Sequence, residues 1–283
     1  VDSDRLAAEV ARLNGLPGRR GYFTETFCET ARYIQPFNGE RIDAIRDDLE
    51  QHGDDPLFPV LLTSLIEAAD RVDSTTGVQM AYLKGWSTRS HKPLDLRVPD
   101  LLPGSGAAVR GDAVDLAGRL GPFDLAYLDP PYNQHRYLGN YHVWETLVAW
   151  DAPEHYGVAC KRIDCRDEAT KSVFNRKREM PGALAATVAG LEADVVVLSH
   201  NDESWIELDE LVEICRPRGE VVVLSFDSKR YVGSQIGIHS PAGVRVGEVS
   251  HLRNVEYLLV AGDPARVRRM VEPFVGRPAL NGT

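Results

Sequence analysis

Residues 123–133 read FDLAYLDPPYN, a short apolar run followed by an acid, two prolines and an aromatic residue. The run 123–128 has the length and the flanking turn residues of a buried β-strand. Proline fixes φ and lacks a backbone donor, so the two prolines predict a rigid turn where the strand ends. The stretch therefore predicts a carboxylate, Asp129, and a ring, Tyr132, just beyond the end of a strand.

The sequence around this stretch alternates between short apolar runs and helical patterns. Further strands are predicted at 107–110, 195–198, 220–226 and 255–260. Helices are predicted at 113–120, 141–150, 184–191 and 204–215. The alternation indicates an α/β fold, a doubly wound and mostly parallel Rossmann-like sheet covered on both faces. In such sheets ligands bind outside the carboxyl ends of the strands, which is where Asp129 stands.

The amino-terminal part of the chain has a helical texture instead. Apolar residues at helical spacing predict a helix over 3–14, a second helix from Pro56 to Ala69, and a helical run to about Lys84. A stretch rich in Pro, Gly and Ser, 87–106, predicts a connecting loop. We therefore expect three regions, which are an amino-terminal helix (1–18), a helical insertion (19–100) and an α/β domain (101–283).

Composition narrows the class of protein. The chain has 283 residues, a net charge of −10 and four cysteines, at 28, 160, 165 and 215. Their spacing suits neither a disulfide framework nor a zinc site, so we predict reduced thiols, no metal and a cytoplasmic protein. No run approaches the roughly 20 apolar residues of a membrane helix, so no membrane partner is expected. The negative charge argues against a surface coated for non-specific DNA binding but leaves room for local basic clusters.

The groups at 129–132 suit methylation of an exocyclic amine on a base. Such a nitrogen is a poor nucleophile because its lone pair is delocalised into the ring. The carboxylate of Asp129 and the carbonyl of Pro130 can accept both amine hydrogens and stabilise the positive charge that develops on attack. Tyr132 can stack on an extruded base, which is worth roughly 1–3 kcal/mol. The predicted catalytic residues are therefore Asp129, Pro130, Pro131 and Tyr132, and the alternative is a rigid turn with a packed tyrosine.

Asp-Pro-Pro-Tyr at a strand end resembles the catalytic signature of adenine-specific DNA methyltransferases, which include Dam methylases and restriction-system modification enzymes. The resemblance extends to 128–133, Tyr137 and 140–142, and to the segments 38–45 and 111–113. It implies transfer of a methyl group from S-adenosylmethionine to the N6 amine of a flipped-out adenine in double-stranded DNA. The resemblance also makes 101–283 the catalytic methyltransferase domain, 1–18 a helix of that domain and 19–100 a candidate target-recognition region. It makes the strand at 255–260 the reversed last strand of the fold. A cognate restriction endonuclease is an expected partner.

The same resemblance implies where the cofactor lies. It places Asp112 beside the adenosine of S-adenosylmethionine and Asp129 between the cofactor and the target amine. The expected cofactor-binding residues are Asp112, Ala113, Asp129 and Pro130. A Gly-Asp pair ahead of a helix is also a common helix N-cap, so a capping role for Asp112 stays open.

Two kinds of residue are candidates for DNA contacts. Polar and aromatic residues follow the motif, where flanking nucleotides would lie, and basic pairs occur in two later loops. These candidates are Asn133, His135, Arg136, Tyr137, Asn140, Tyr141, His142, Lys177, Arg178, Lys229 and Arg230. Lys161 and Arg162 form another basic pair. Helix capping, packing or ordinary solvated surface explains any one of them equally well. The segment 199–202 also follows a predicted strand and is expected to form a wall of the crevice.

One departure from the family's pattern opens other readings. No glycine-rich strand-to-helix loop precedes the helical region, and the chain starts with Val1 in place of Met. We expect a longer polypeptide whose preceding part carries a strand, a glycine-rich turn and a helix. The competing hypotheses are an RNA or protein-amide methyltransferase, and a non-catalytic DNA-binding subunit.

Overall fold

The computed structural model describes residues 2–229, 238–239, 245–247 and 253–274. Its helices are α1 (Ser3–Asn14), α2 (Pro36–Gln51), α3 (Phe58–Asp70), α4 (Ala113–Ala117), α5 (Tyr137–Ala149), α6 (Met180–Gly190), α7 (Leu208–Cys215) and α8 (Pro264–Val271). Its strands are β1 (Phe123–Leu128), β2 (His155–Tyr156), β3 (Lys161–Arg162), β4 (Ala193–Asn201), β5 (Glu220–Lys229), β6 (Ile238–His239), β7 (Arg245–Gly247) and β8 (Arg253–Gly262). A π-helical turn covers Thr24–Thr30, and short 3-10 turns cover Thr88–His91, Ile163–Arg166, Glu168–Thr170, Val173–Asn175, Arg216–Arg218 and Glu272–Phe274.

The chain divides into two compact units. The first unit consists of 1–105 and 137–170, and the second consists of 106–136 and 171–283. The first unit therefore takes in residues 1–18 and 137–170, which the sequence analysis had grouped with the catalytic domain. The pattern in α1 indicated that one face is buried but not which partner buries it.

The first unit is a helical body around one apolar core. Helix α1 begins at the N-cap Asp2, whose carboxylate accepts the backbone N–H groups of Asp4 and Arg5 at 3.1 Å. Its apolar face is buried in the same cluster as the apolar faces of α2 and α3. A side chain at Gly39 of α2 would collide with the sulfur of Cys28, so glycine lets the helix approach the π-helical turn.

Two buried charged side chains bind the backbone of the first unit. The carboxylate of Asp43 accepts hydrogen bonds from the N–H groups at 21, 23 and 24 (3.1, 3.0 and 2.8 Å) and from the hydroxyl of Thr24 (2.5 Å). Arg46 donates to the carbonyl oxygens of Leu147 (2.9 Å) and Val148 (3.1 Å), near the end of α5. Both side chains satisfy backbone groups that would otherwise be buried without partners.

The second unit is built on a four-stranded sheet of order β1-β4-β8-β5. Strands β1 and β4 are parallel, and β8 runs antiparallel to both of its neighbours, so β1, β4 and β5 point the same way. Residues of α4, α6 and α7 pack with Val196 and Leu198, and residues of α8 pack with Val195 and Val197 on the other face. The mixed α/β class with a mainly parallel sheet is therefore confirmed, as is the reversed strand around 255–260.

Three sequence predictions on local structure are wrong. The prediction of a buried strand at 123–128 is right in its bounds, but Phe123, Leu125 and Tyr127 are exposed. The reason is that β1 pairs only with β4 among the described residues, so it lies at a sheet edge. Residues 107–110 are not a strand, since none of the described strands pairs with them. The second helical run, predicted to continue to about Lys84, is absent, and turns follow the end of α3 at Asp70.

The other helices and strands predicted beyond Pro56 are present with shifted ends. Helix α5, for example, begins at Tyr137 rather than 141 and is kinked at Tyr141. All four cysteines are free and buried. Within the described residues, no helix is both long and apolar enough to cross a membrane.

Candidate active site at the end of strand β1

The predicted catalytic motif begins where β1 ends. Leu128, the last residue of β1, pairs with Leu198 of β4, and Asp129 follows at the carboxyl edge of the sheet. The Asp129 side chain is exposed, while the two prolines and Tyr132 are half-buried. The start of β1 is set by Gly121, which has φ 128° and approaches the carbonyl oxygen of Glu192 so closely that a Cβ would lie 2.8 Å from it.

The loop after the prolines is held by hydrogen bonds to its backbone. The N–H of Trp205 donates to the carbonyl of Tyr132 (3.3 Å). The side-chain amide of Asn175 donates to the carbonyls of Asn133 (2.8 Å) and His135 (3.1 Å). Asn175 is 5% exposed, so it acts as a buried clamp on the loop. The sequence analysis did not identify Asn175. Its only local signal is a side-chain amide between the apolar residues 173–174 and the basic residues 176–178.

The ring of Tyr132 packs in the second unit's core cluster and contacts a histidine. The Tyr132 and His200 ring centroids are 5.8 Å apart, with the ring planes tilted by 51°. His200 lies near the end of β4 and is 1% exposed. Burial lowers the pKa of His200 to about 4, although the backbone of Asn201 opposes the shift, so the ring is neutral at neutral pH. The sequence analysis predicted that 199–202 forms a wall of the crevice, but it did not predict the contact between His200 and Tyr132.

Carboxylates gather at this edge of the sheet. Glu256 of β8 pairs with Asn201 of β4. Burial raises the pKa of the half-buried Glu256 carboxyl, a hydrogen bond from Asn201 lowers it, and the charges of Asp202 and Asp129 raise it further. The strand register places the carboxyl groups of Asp129, Asp202 and Glu256 at the same edge of the sheet. Such an edge attracts a cation.

Asp112 caps helix α4. Its Oδ1 accepts the N–H of Val114 at 2.9 Å, and Ala113 is the first helical residue. The capping role that the sequence analysis kept open is therefore present. Asp112 and Ala113 are also exposed.

The residues after the motif fall in both units. Asn133, His135 and Arg136 belong to the second unit, and Asn133 accepts the N–H of His135 at 3.0 Å. The others, Tyr137, Asn140, Tyr141 and His142, lie on α5 of the first unit.

The α5 residues differ in their exposure. The Tyr137 ring is 52% exposed and lies 6.3 Å from that of Tyr141. His142 is fully buried, with its Nε2 2.9 Å from the carbonyl oxygen of Gln79 and 3.3 Å from the hydroxyl of Tyr33. The prediction of a DNA contact at His142 does not fit this burial, because the ring has no surface for a nucleotide to reach.

The predicted basic contacts also separate by exposure. Lys177 and Arg178 are exposed in the second unit. Lys229 is the last residue of β5, and Arg230 lies outside the described residues.

Arg162 of the first unit is buried instead. Its guanidinium binds the carboxylates of Asp151 (2.7 Å) and Asp164 (2.8 Å). Arg162 is therefore committed to a structural ion pair and is not a phosphate contact.

The arrangement suits a planar ligand that carries an amine. A solvent-accessible carboxylate and two proline peptides, which keep their carbonyls but have no N–H, offer acceptors without a competing donor. Beside them the Tyr132 ring is fixed by its backbone and by its packing. The site can accept both hydrogens of an amino group while an aromatic face supports the ring that bears it.

Comparison with known proteins points to one family. The family model described as D12 class N6 adenine-specific DNA methyltransferase matches residues 3–214. Type II methyltransferase M.NlaIII of Neisseria lactamica is 28% identical over 233 residues, which are 78% of this chain and 68% of the relative. Type II methyltransferase M.FokI of Planomicrobium okeanokoites is 31% identical over 199 residues, and modification methylase StsI of Streptococcus sanguinis is 29% identical over 205 residues.

These last two matches cover 68% and 69% of the chain but only 30% and 31% of the relatives. The chain thus spans less than a third of these two enzymes. No solved structure gives a significant match.

Proposed function

The chain belongs to the family of D12 class N6 adenine-specific DNA methyltransferases, and on that basis we propose that it transfers a methyl group from S-adenosylmethionine to the N6 amine of an adenine in double-stranded DNA. The observation that carries the proposal is the place of Asp129, exposed at the carboxyl edge of the sheet beside a fixed aromatic ring. The printed names of the relatives support a role as the modification enzyme of a type II restriction-modification system, with a cognate endonuclease as partner.

Asp129 and Pro130 act on the target amine. The Asp129 carboxylate accepts one amine hydrogen and the Pro130 carbonyl accepts the other, so the nitrogen becomes tetrahedral and its lone pair leaves conjugation. These acceptors gain interaction energy as the nitrogen becomes positive, so they stabilise the transition state more than the ground state. Pro131 keeps the turn rigid, because its fixed φ restricts the backbone that carries Asp129.

Tyr132 receives the extruded base. Taking adenine out of the duplex costs a few kcal/mol, and stacking on an aromatic ring returns roughly 1–3 kcal/mol. The hydrogen bonds from Trp205 and Asn175 to the loop keep the backbone that carries the ring in place before the base arrives. This preorganisation lowers the ordering cost of binding.

The donor set of the second unit fits S-adenosylmethionine. When bound, the cofactor supplies an electrophilic methyl group on a sulfonium cation. The carboxyl groups of Asp129, Asp202 and Glu256, which the strand register places at one edge of the sheet, favour a cation there. The exposed carboxylate of Asp112 and the carbonyl of Pro130 are acceptors for its hydroxyl and ammonium hydrogens, and the exposed Ala113 adjoins Asp112 at the start of α4. We therefore assign the second unit to the doubly wound sheet of methyltransferases.

DNA recognition is divided between the units. In the second unit, Asn133, His135, Arg136, Lys177, Arg178, Lys229 and Arg230 are assigned to flanking nucleotides and phosphates. The first unit is assigned to target recognition, with Tyr137, Asn140 and Tyr141 as its contacts. The exposure of Lys177, Arg178 and Tyr137 supports these roles.

The experiment is a methyl-transfer assay across substrates. The purified chain is incubated with methyl-labelled S-adenosylmethionine and with duplex DNA, single-stranded DNA, structured RNA or a glutamine- and asparagine-rich protein. We expect label in duplex DNA, and N6-methyladenine as the labelled nucleoside on mass analysis. Label in RNA or protein would favour the alternative substrates, and DNA binding without transfer would favour a non-catalytic subunit.

A further inference from the structure

His200 is a buried side chain that nothing so far requires. The ring is 1% exposed, and neither ring nitrogen makes a well-formed hydrogen bond within the described part of the chain. Most buried polar groups in proteins are paired, because leaving one without a partner costs its lost hydration. The His200 ring is therefore held by packing rather than by well-formed hydrogen bonds, and it acts on its surroundings through the contacts of its planar face.

The position of His200 relates it to the motif. Leu128 and Leu198 pair across β1 and β4, and His200 stands two residues beyond Leu198 on the same face of the sheet. That face carries the core cluster in which Tyr132 packs. The contact between the two rings is tilted, with centroids 5.8 Å apart, within the range of favourable aromatic pairs.

Two of the contacts of Tyr132 act on different parts of the residue. Its backbone carbonyl accepts the N–H of Trp205, and its ring packs against His200. The first contact fixes the loop backbone and does not itself set the χ angles of the side chain. The second contact restricts rotation about these angles, because His200 is itself confined in a strand between β1 and β8.

We propose that His200 is a positioning residue for the methyl transfer, and that its ring holds the ring of Tyr132 in the orientation that stacks on the extruded adenine. The inference rests on the proposed function, because it assigns to Tyr132 the stacking role. His200 does not touch the base, the cofactor or the reacting atoms, and it acts only through Tyr132. A planar ring of this size is what the contact needs, and the nitrogens are incidental to it.

A double-mutant cycle on the full chain tests the inference. The variants are His200→Ala, Tyr132→Ala and the double variant, assayed for kcat, for KM of S-adenosylmethionine and for KM of duplex DNA. We expect His200→Ala to lower kcat about fivefold, the scale of one aromatic pair, with the KM of the cofactor unchanged. In the Tyr132→Ala background the same change should cost less than about twofold, because the ring that it positions is already absent.

Two further variants separate positioning from general stability. His200→Phe keeps the ring and should retain kcat within about twofold of the parent chain, whereas His200→Gln keeps polarity without a ring and should behave like His200→Ala. Val267→Ala is the matched control, since Val267 is buried in the cluster on the other face of the sheet. It should lower the unfolding midpoint without changing kcat.

The outcomes distinguish the inference from the proposed function. Equal losses from His200→Ala in both backgrounds, or a His200→Phe variant as inactive as His200→Ala, would overturn the positioning role while methylation itself stands. If no substrate is methylated at all, the proposed function fails. In that case the same double-mutant cycle, measured in the free energy of unfolding, tests whether the rings of His200 and Tyr132 interact. Additive effects of the two substitutions would overturn the positioning role.

Discussion

Asp43 in the first unit and Asp129 in the second unit are both aspartates in segments that resemble a methyltransferase family, yet their surroundings are opposite. Asp43 is buried, and three backbone N–H groups and a hydroxyl bind its carboxylate. Asp129 is exposed at the end of a strand beside two prolines that have no N–H. The protein itself supplies the hydrogen-bond donors to the Asp43 carboxylate. The Asp129 carboxylate is available to hydrogen-bond donors on a ligand.

The same difference separates one buried polar side chain of each unit, Asn38 and His200. It does not extend to every side chain, since Arg41, Gln79 and His142 of the first unit also have buried polar atoms without a well-formed hydrogen bond within the described residues. In the first unit, Asn38 donates to the carbonyl of Lys92 (2.8 Å) and accepts the N–H of Leu94 (2.7 Å). In the second unit, the buried His200 has no well-formed hydrogen bond within the described residues. The comparison teaches that a segment can resemble a family through residues that build its fold as well as through residues that perform its chemistry.

The largest effect on stability is expected at Asp43. Asp43→Ala leaves several buried donors without an acceptor, and such changes cost about 1–3 kcal/mol for each group. We expect a loss of at least about 3 kcal/mol in the free energy of unfolding, measured by urea denaturation. Asp129→Ala should leave that free energy unchanged, because its side chain is exposed. An Asp43→Ala chain as stable as the parent would remove the distinction between the two aspartates.

The two buried histidines predict a loss of stability in acid. Burial lowers the pKa of both His142 and His200 to about 4, from the ordinary value near 6.5. Between these values the unfolded chain binds protons that the folded chain does not. Stability is therefore fully present above about pH 6.5 and falls towards pH 4, by up to roughly 3 kcal/mol for each histidine.

Each histidine should affect its own unit. His142→Phe should flatten the pH dependence of unfolding in the first unit, and His200→Phe should flatten it in the second. Unfolding of the parent and of both variants is followed at pH 7.5 and 4.5, with a hydrogen-exchange readout for each unit. A parent whose stability is the same at both pH values would show that the rings are not buried in their neutral form.

A smaller effect is expected at Tyr132. Tyr132→Ala removes stacking worth roughly 1–3 kcal/mol, so kcat/KM for duplex DNA should fall about 5- to 150-fold. Tyr132→Phe and Tyr132→Trp keep an aromatic face and should retain most of the activity. The measurement is initial rates of methyl transfer at several DNA concentrations. If Tyr132→Phe were as inactive as Tyr132→Ala, the hydroxyl rather than the ring would be the functional group.

The smallest effect is expected at the exposed basic pair. Neutralising Lys177 and Arg178 together should lower the slope of log binding constant against log salt by about two, one for each lost phosphate contact. The matched control is Arg216→Ala, since Arg216 is exposed just before β5, at the other edge of the sheet. Equal slopes for the parent and the double variant would place the phosphates elsewhere.

The sequence was informative where a local pattern determines a local structure. The bounds of α1 and β1 follow from apolar spacing, from the N-cap and from the prolines, all of which act within a few residues. The catalytic role proposed for Asp129 came from the chemistry of residues 129–132 and from the family resemblance. The reversed direction of β8 also came from the resemblance, because strand direction depends on pairing between distant segments.

Two kinds of prediction failed, which are the local ones at 107–110 and towards Lys84 and those that depend on tertiary contacts. The apolar pattern of β1 could not indicate that Phe123, Leu125 and Tyr127 lie at a sheet edge, since burial depends on which neighbours pack there. His142 follows the motif in sequence, but the fold places it in the core of the first unit. Asn175 and His200 each contact the motif loop from a segment more than 40 residues away in the sequence. No local pattern could therefore indicate these two contacts.

The most direct test of the account compares three carboxylate variants in one assay. Asp129→Ala, Asp129→Asn and Asp124→Ala, a control on the same strand with an exposed side chain, are measured for methyl transfer to duplex DNA and for their unfolding midpoints. The account predicts at least about a 100-fold loss of kcat for Asp129→Ala, the scale of one lost transition-state contact, with the midpoint unchanged and Asp124→Ala near the parent. Near-normal methylation by Asp129→Ala would contradict the assignment of this carboxylate to the target amine.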